Sequence, residues 1–136
     1  MANLSQTAAN VGIGNSGTRT RVVQAGAAVT NGQPVYLSSA KYYPADANLA
    51  SSANATGIAL TAASTDGFFL MQEGAGGLVN LGATLAVGQV YCVSATTGAI
   101  CPYADLLTGE FVCILGIATT TALLQTVYAY SSVAKA

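Results

Sequence analysis

Histidine and tryptophan are absent from this chain, and charge is scarce: four Lys plus Arg and five Asp plus Glu in 136 residues. Each shortage removes a function. Without histidine there is no Ser-His-Asp triad, no Cys-His pair and no His-ligated metal site. Four scattered basic residues cannot neutralise a run of phosphates, so nucleic acid is not an expected partner. Charged residues make up 7% against about 25% in an ordinary soluble domain, so most of the exterior must be neutral or apolar. Long apolar runs are also missing. The stretch Phe111 to Tyr130 carries no formal charge, but Gly116, Thr119-Thr120-Thr121 and Gln125 interrupt it, and it reads as two strands around a polar turn. No membrane span and no export signal are expected, because Asn3-Leu4-Ser5-Gln6-Thr7 supplies neither a basic start nor an apolar core.

Three cysteines, Cys92, Cys101 and Cys113, have neither zinc-like spacing nor histidine support and read as reduced, small hydrophobes. Around Ala95-Thr96-Thr97-Gly98 a hairpin is expected. A two-residue Thr96-Thr97 turn would set Cys92 opposite Cys101, close enough to bridge. A three-residue turn with Gly98 in a bulge would slip the register and separate them, and the glycine favours that arrangement.

The remainder is strand and turn. Short β-branched and aromatic runs recur: Arg21-Val22-Val23-Gln24, Val35-Tyr36-Leu37, Gly57-Ile58-Ala59-Leu60, Phe68-Phe69-Leu70-Met71, Val90-Tyr91-Cys92-Val93, Phe111 to Leu115 and Thr126 to Tyr130. Asn31-Gly32, Asp66-Gly67, Gly74 to Gly77, Thr97-Gly98 and Thr108-Gly109 punctuate them. This is the pattern of an all-β sandwich or small barrel. Residues 1–20, rich in Asn, Ser, Thr, Ala and Gly, read as a flexible N-terminal arm before a single β domain over 21–136. The arm spells GxGxxG at Gly12 to Gly17, but the β-like Thr18 to Val23 follows where a dinucleotide site needs a helix.

The chain also repeats itself, with halves at about 22–73 and 78–131. Gly32-Gln33-Pro34-Val35-Tyr36, Pro44-Ala45-Asp46, Gly57-Ile58-Ala59 and Phe68-Phe69-Leu70 recur in order as Gly88-Gln89-Val90-Tyr91, Pro102 to Asp105, Gly116-Ile117-Ala118 and Leu123-Leu124-Gln125, given a one-residue gap at Pro34. A Gly-Gln-strand segment, a variable loop, Gly-Ile-Ala and an apolar strand, over roughly Val22 to Tyr130, resemble the small bacteriophage head-decoration proteins, also called cement or capsid-stabilising proteins. The resemblance implies a non-enzymatic virion component, made in the host cytoplasm. It would bind the outside of a capsid lattice and bridge neighbouring major capsid proteins. Low charge favours self-association, and a homotrimer would suit the threefold positions of a shell.

Chemistry has little to stand on. Asp46, Asp66, Glu73, Asp105 and Glu110 are the only acid–base groups. Asp66 suits its turn, Asp46 and Asp105 occupy matching repeat positions, and a glycosidase pair would lack Trp platforms. No enzyme activity, cofactor or metal site is expected. Partner contacts fall instead on Arg19 and Arg21, which share a face if extended, and on Tyr42 and Tyr43, which follow Lys41 in a loop before Pro44. Those tyrosines cannot both point inward, so one is free to anchor an interface. The arginines are either solvated strand-edge charges or forks for a partner's carboxylates. Tyr128 and Tyr130 share one strand face and read as partly buried core. The alternative to a decoration protein is a cell-surface, pilus-like or host-binding β module, which would need an export route.

Overall fold

A computed structural model describes residues 3–136. The strands are β1 (Val11–Ile13), β2 (Thr20–Gln24), β3 (Pro34–Ser38), β4 (Lys41–Pro44), β5 (Gly57–Ala59), β6 (Phe68–Glu73), β7 (Leu78–Leu81), β8 (Val90–Val93), β9 (Ile100–Pro102), β10 (Phe111–Ala118) and β11 (Leu123–Ala134). They form two antiparallel sheets, one of five strands in the order β2-β6-β5-β3-β4 and one of six in the order β1-β7-β11-β10-β8-β9. The protein is all-β, with two 3-10 turns at Ala8–Asn10 and Tyr103–Asp105. The uncharged stretch from Phe111 to Tyr130 lies in β10 and β11, which pair across the turn at Thr119 to Ala122.

Apart from β1, the two sheets share one plan: β2, β6, β5, β3, β4 correspond in order to β7, β11, β10, β8, β9. The hydrogen bonds fix the correspondence residue by residue. Gly32 and Gly88 both take positive φ, 89° and 83°, in the turn before β3 and β8. Their N–H groups donate to the equivalent carbonyls of Ala59 (2.7 Å) and Ala118 (2.8 Å), whose own N–H groups donate back to Gln33 (2.9 Å) and Gln89 (3.0 Å). Pro34 then lies opposite Ile58 as Val90 lies opposite Ile117, so no gap at Pro34 is needed. The last landmark also moves. Leu70-Met71-Gln72, not Phe68-Phe69-Leu70, occupies the place of Leu123-Leu124-Gln125, because Ala59 faces Met71 and Ala118 faces Leu124.

Side chains alternate across a strand, and this alternation makes three apolar cores. Ile58 and Leu60 from one sheet meet Val79, Leu81, Tyr91, Val93, Ile100, Cys113, Leu115 and Leu124 from the other. Ala59 points the opposite way, into a second cluster with Val23, Ala25, Val29, Val35, Tyr42, Phe69 and Met71. That cluster exists because the five-stranded sheet curls until β4 reaches the end of β2. Ala25 and Tyr42 form a parallel bridge there, and Gly26 donates its N–H to the Tyr42 carbonyl (2.8 Å). Cys92 and Cys101 lie on the far face of the six-stranded sheet, covered by Ala47 and Leu106.

Three expectations need correction. Residues 3–20 are not a loose arm; Met1 and Ala2, also assigned to it, lie outside the described residues. Leu4 donates its N–H to Ile100 (2.8 Å) and packs on the main core, Gln6 Nε2 donates to Gly32 (3.0 Å) and Leu81 (2.9 Å), and β1 pairs with β7. Within this segment β1 is an edge strand of the six-stranded sheet, and its last residue, Thr20, opens β2 of the other. Second, Lys41 to Pro44 is a strand, not a loop, joined to β3 by a tight turn in which Ser39 and Ala40 both take positive φ, 51° and 68°. Third, Gly98 does take positive φ (76°), yet the loop is longer than expected: Ser94 N–H donates to Ala99 (3.1 Å) and Ala99 N–H to Thr96 (3.0 Å). A four-residue loop over 95–98 keeps the register, so Cys92 faces Cys101 with both thiols free.

A buried polar knot ties the sheets together. Gln72, fully buried, donates from Nε2 to the carbonyls of Glu73 and Gly74 (both 3.0 Å) and accepts the Tyr128 hydroxyl at Oε1. Gln72→Leu should therefore cost about 3 kcal/mol, since it orphans buried partners rather than merely losing bonds. Urea unfolding would show this as a lower midpoint at unchanged slope. A variant of wild-type stability would mean that water satisfies the knot.

Candidate interaction surface

Most of the ionisable side chains serve the fold. The Asp46 carboxylate accepts the Asn48 N–H and the Ser52 hydroxyl (both 3.0 Å), holding the loop after β4. Asp66, itself at positive φ (67°), pairs with Lys41 at 2.7 Å. Glu110 accepts the Leu107 N–H (2.8 Å). Lys135 donates to the carbonyls of Tyr103 (3.2 Å) and Leu106 (2.7 Å), with its ammonium 4.6 Å from the Tyr103 ring centre. Asp105 sits in the second 3-10 turn. Among the described residues, no three His, Cys, Asp or Glu groups are placed to hold a metal ion. Burial lifts the Cys92 thiol to about 12 and those of Cys101 and Cys113 to about 11, so all three stay protonated near neutrality and are poor nucleophiles.

The four expected contact residues separate. Arg19 and Arg21 do come together: both guanidinium groups lie beside the single Glu73 carboxylate, at 3.7 and 3.8 Å. Their side chains remain 72% and 58% exposed, so two cations share one anion at the surface. Tyr42 is buried in the curled sheet and is a core residue, which corrects its reading as a contact. Tyr43 is half-buried. Its ring stacks on Tyr36 at 5.7 Å and lies over Gly26, where a Cβ would sit 2.2 Å from the ring. Tyr128 and Tyr130 pack against the main core, as their shared face suggested.

Low charge implied a neutral or apolar exterior; which side chains form it was not legible in the sequence. Val22, Leu37 and Phe68 are 65%, 53% and 67% exposed and line one groove of about 460 Å³ with Arg21 and Ala40. On the far face of the six-stranded sheet, Val87, Val90, Tyr103, Val112 and Ile114 line a second, of about 720 Å³. Val127 and Val133 are exposed along β11, whose residues beyond Thr126 outrun β7. Strand valines and phenylalanines read as core by default, and only the observed curvature shows which of them the second sheet leaves uncovered. The fold and surface together define a two-sheet all-β module with little charge and several uncovered apolar faces. Compared with family models, curated proteins and solved structures, the chain matches none.

Proposed function

We propose that this chain is a capsid decoration protein, a non-enzymatic virion component that binds the outside of a viral shell and bridges neighbouring major capsid proteins. The observation that carries the reading is the uncovered apolar surface, with large side chains such as Val22, Phe68 and Val87 about two-thirds exposed on a chain with nine formal charges. Such faces mark protein contacts. The placement of the carboxylates supports the same reading, since Asp46, Asp66, Glu73 and Glu110 each hold a structural contact. The segments that resemble decoration proteins also lie together: Val90 opens β8, and Ile117 of Gly116-Ile117-Ala118 pairs with it from β10. Self-association, as a homotrimer, would use part of the same apolar surface.

A subunit that binds only the intact lattice stabilises it by mass action, and many weak bridges add over a shell. Shells lacking this protein should therefore assemble but rupture at lower temperature, and added protein should restore them, saturating at a fixed number of sites. Shells of unchanged stability that instead lose host attachment would favour the host-binding module.

A further inference from the structure

We infer that the outer edge of β2 is a docking edge for an extended segment of a second protein, apolar at alternate positions and carrying a carboxylate. On the reading proposed above, that protein is the shell protein. The argument starts from hydrogen-bond parity. Arg19 accepts the Glu73 N–H (3.1 Å) and Ala25 donates to Gly67 (2.8 Å), so the odd-numbered residues of this stretch turn their backbone groups to β6. Val22 lies opposite Leu70, whose N–H is taken by Thr61 Oγ1 (2.8 Å) and whose carbonyl is taken by Leu60 (2.8 Å). By the alternation of an antiparallel ladder, the backbone groups of Thr20 and Val22 therefore face away from β6.

Little covers them. β4 meets this edge at the Ala25–Tyr42 bridge, and its hairpin ends at Ser39-Ala40, so β2 overhangs the hairpin tip. An open edge of this kind is a template for an added strand. The groove beside it supplies side-chain recognition: Val22, Leu37 and Phe68 offer exposed apolar walls, with Arg21 on the same lining. Charge chooses the occupant. Lys41 is paired with Asp66 and Lys135 with carbonyls, whereas Arg19 and Arg21 share Glu73 and leave one positive charge uncompensated beside the groove. A carboxylate on the incoming strand would balance it.

The test uses the full chain with shells stripped of it. Amide exchange at Thr20 and Val22 should slow at least about tenfold on shell binding, because an added strand ties up both groups. Leu37→Ser/Phe68→Ser and, separately, Arg21→Glu should each weaken shell binding about tenfold or more, as for groups central to an interface. All three side chains are exposed, and native far-ultraviolet dichroism would certify that the variants fold. Wild-type binding with unchanged exchange and unaffected variants would overturn the edge while leaving the decoration reading intact. Loss of self-association in the double variant, with shell binding retained, would assign the edge to a second copy and also overturn it. If the wild-type chain binds no shell, the decoration reading fails, and the edge is decided by a ten-residue peptide alternating valine and glutamate. Amide shifts confined to Thr20, Val22 and Gln24 would uphold it; no shifts at millimolar peptide would end it.

Discussion

Deleting residues 1–18 should abolish cooperative folding rather than trim a dispensable tail. The deletion removes β1, and with it the backbone pairing that covers the edge of β7 from Val79 to Leu81. It removes Leu4, which packs on the main core, and Gln6, whose amide joins Gly32 of one repeat to Leu81 of the other. It also removes Thr18, 7% exposed, whose hydroxyl accepts the Leu78 N–H (3.1 Å) and donates to Asn15 Oδ1 (2.5 Å). Burial of Leu4 and Val11 and the lost side-chain hydrogen bonds amount to about 5 kcal/mol. Small domains hold only about 5–15 kcal/mol in all, so the truncated chain should be largely unfolded or aggregate through the bared β7. The measurement is thermal unfolding by circular dichroism. A truncated chain that melts cooperatively within a few degrees of the intact one would return the segment to the status of an arm.

Why that segment looked loose in the sequence is physically clear. Its large apolar residues, Leu4, Val11 and Ile13, are sparse, and what holds it is mostly polar: backbone pairing and the side chains of Gln6 and Thr18, with partners 60 or more residues away for Leu81 and Leu78. Composition carries no trace of a partner at that distance. The strands that begin at Phe68 and Phe111 were legible over 68–71 and 111–115 because β-branched and aromatic residues crowd there near glycine-bearing turns. β4 was not, since its hairpin turn places Ser39 and Ala40 at positive φ without glycine or asparagine to announce it. The repeat was legible as an order of landmarks, but its register was not: Pro34 stands where Val90 stands, and that substitution looked like an insertion until the Gly32 and Gly88 hydrogen bonds set the two turns equal. Of the contact residues, the shared face of Arg19 and Arg21 was readable from spacing, whereas their common partner Glu73 comes from β6, more than fifty residues on.

The second large effect should appear in alkali: stability that is flat from about pH 6 to 8 and collapses between about pH 9 and 11. Burial raises the Cys92 thiol to about 12, helped by the neighbouring Cys101 and Cys113. It raises Cys101 to about 11, helped by Asp105 and Glu110, and Cys113 to about 11. In the unfolded chain a thiol titrates near 8.5. Above that pH the unfolded state sheds protons that the folded state still holds, so stability falls as pH rises, and the loss continues until the folded thiols ionise at about 11 to 12. Each thiol contributes a slope of about 1.4 kcal/mol per pH unit in that window. Three acting together would consume an ordinary domain's stability within roughly two to three units. Tyr128, held above its usual range by burial, adds to the loss once the unfolded tyrosine begins to ionise near pH 10. Melting temperature against pH measures the effect, and Cys92→Ala/Cys101→Ala should flatten the slope by about two-thirds above pH 9 if the double variant folds. A thiol reagent gives an independent reading on the wild-type chain, which should react slowly at pH 8 and with all three cysteines once unfolded. A melting temperature that holds steady to pH 11 would show that these thiols reach water in the folded protein.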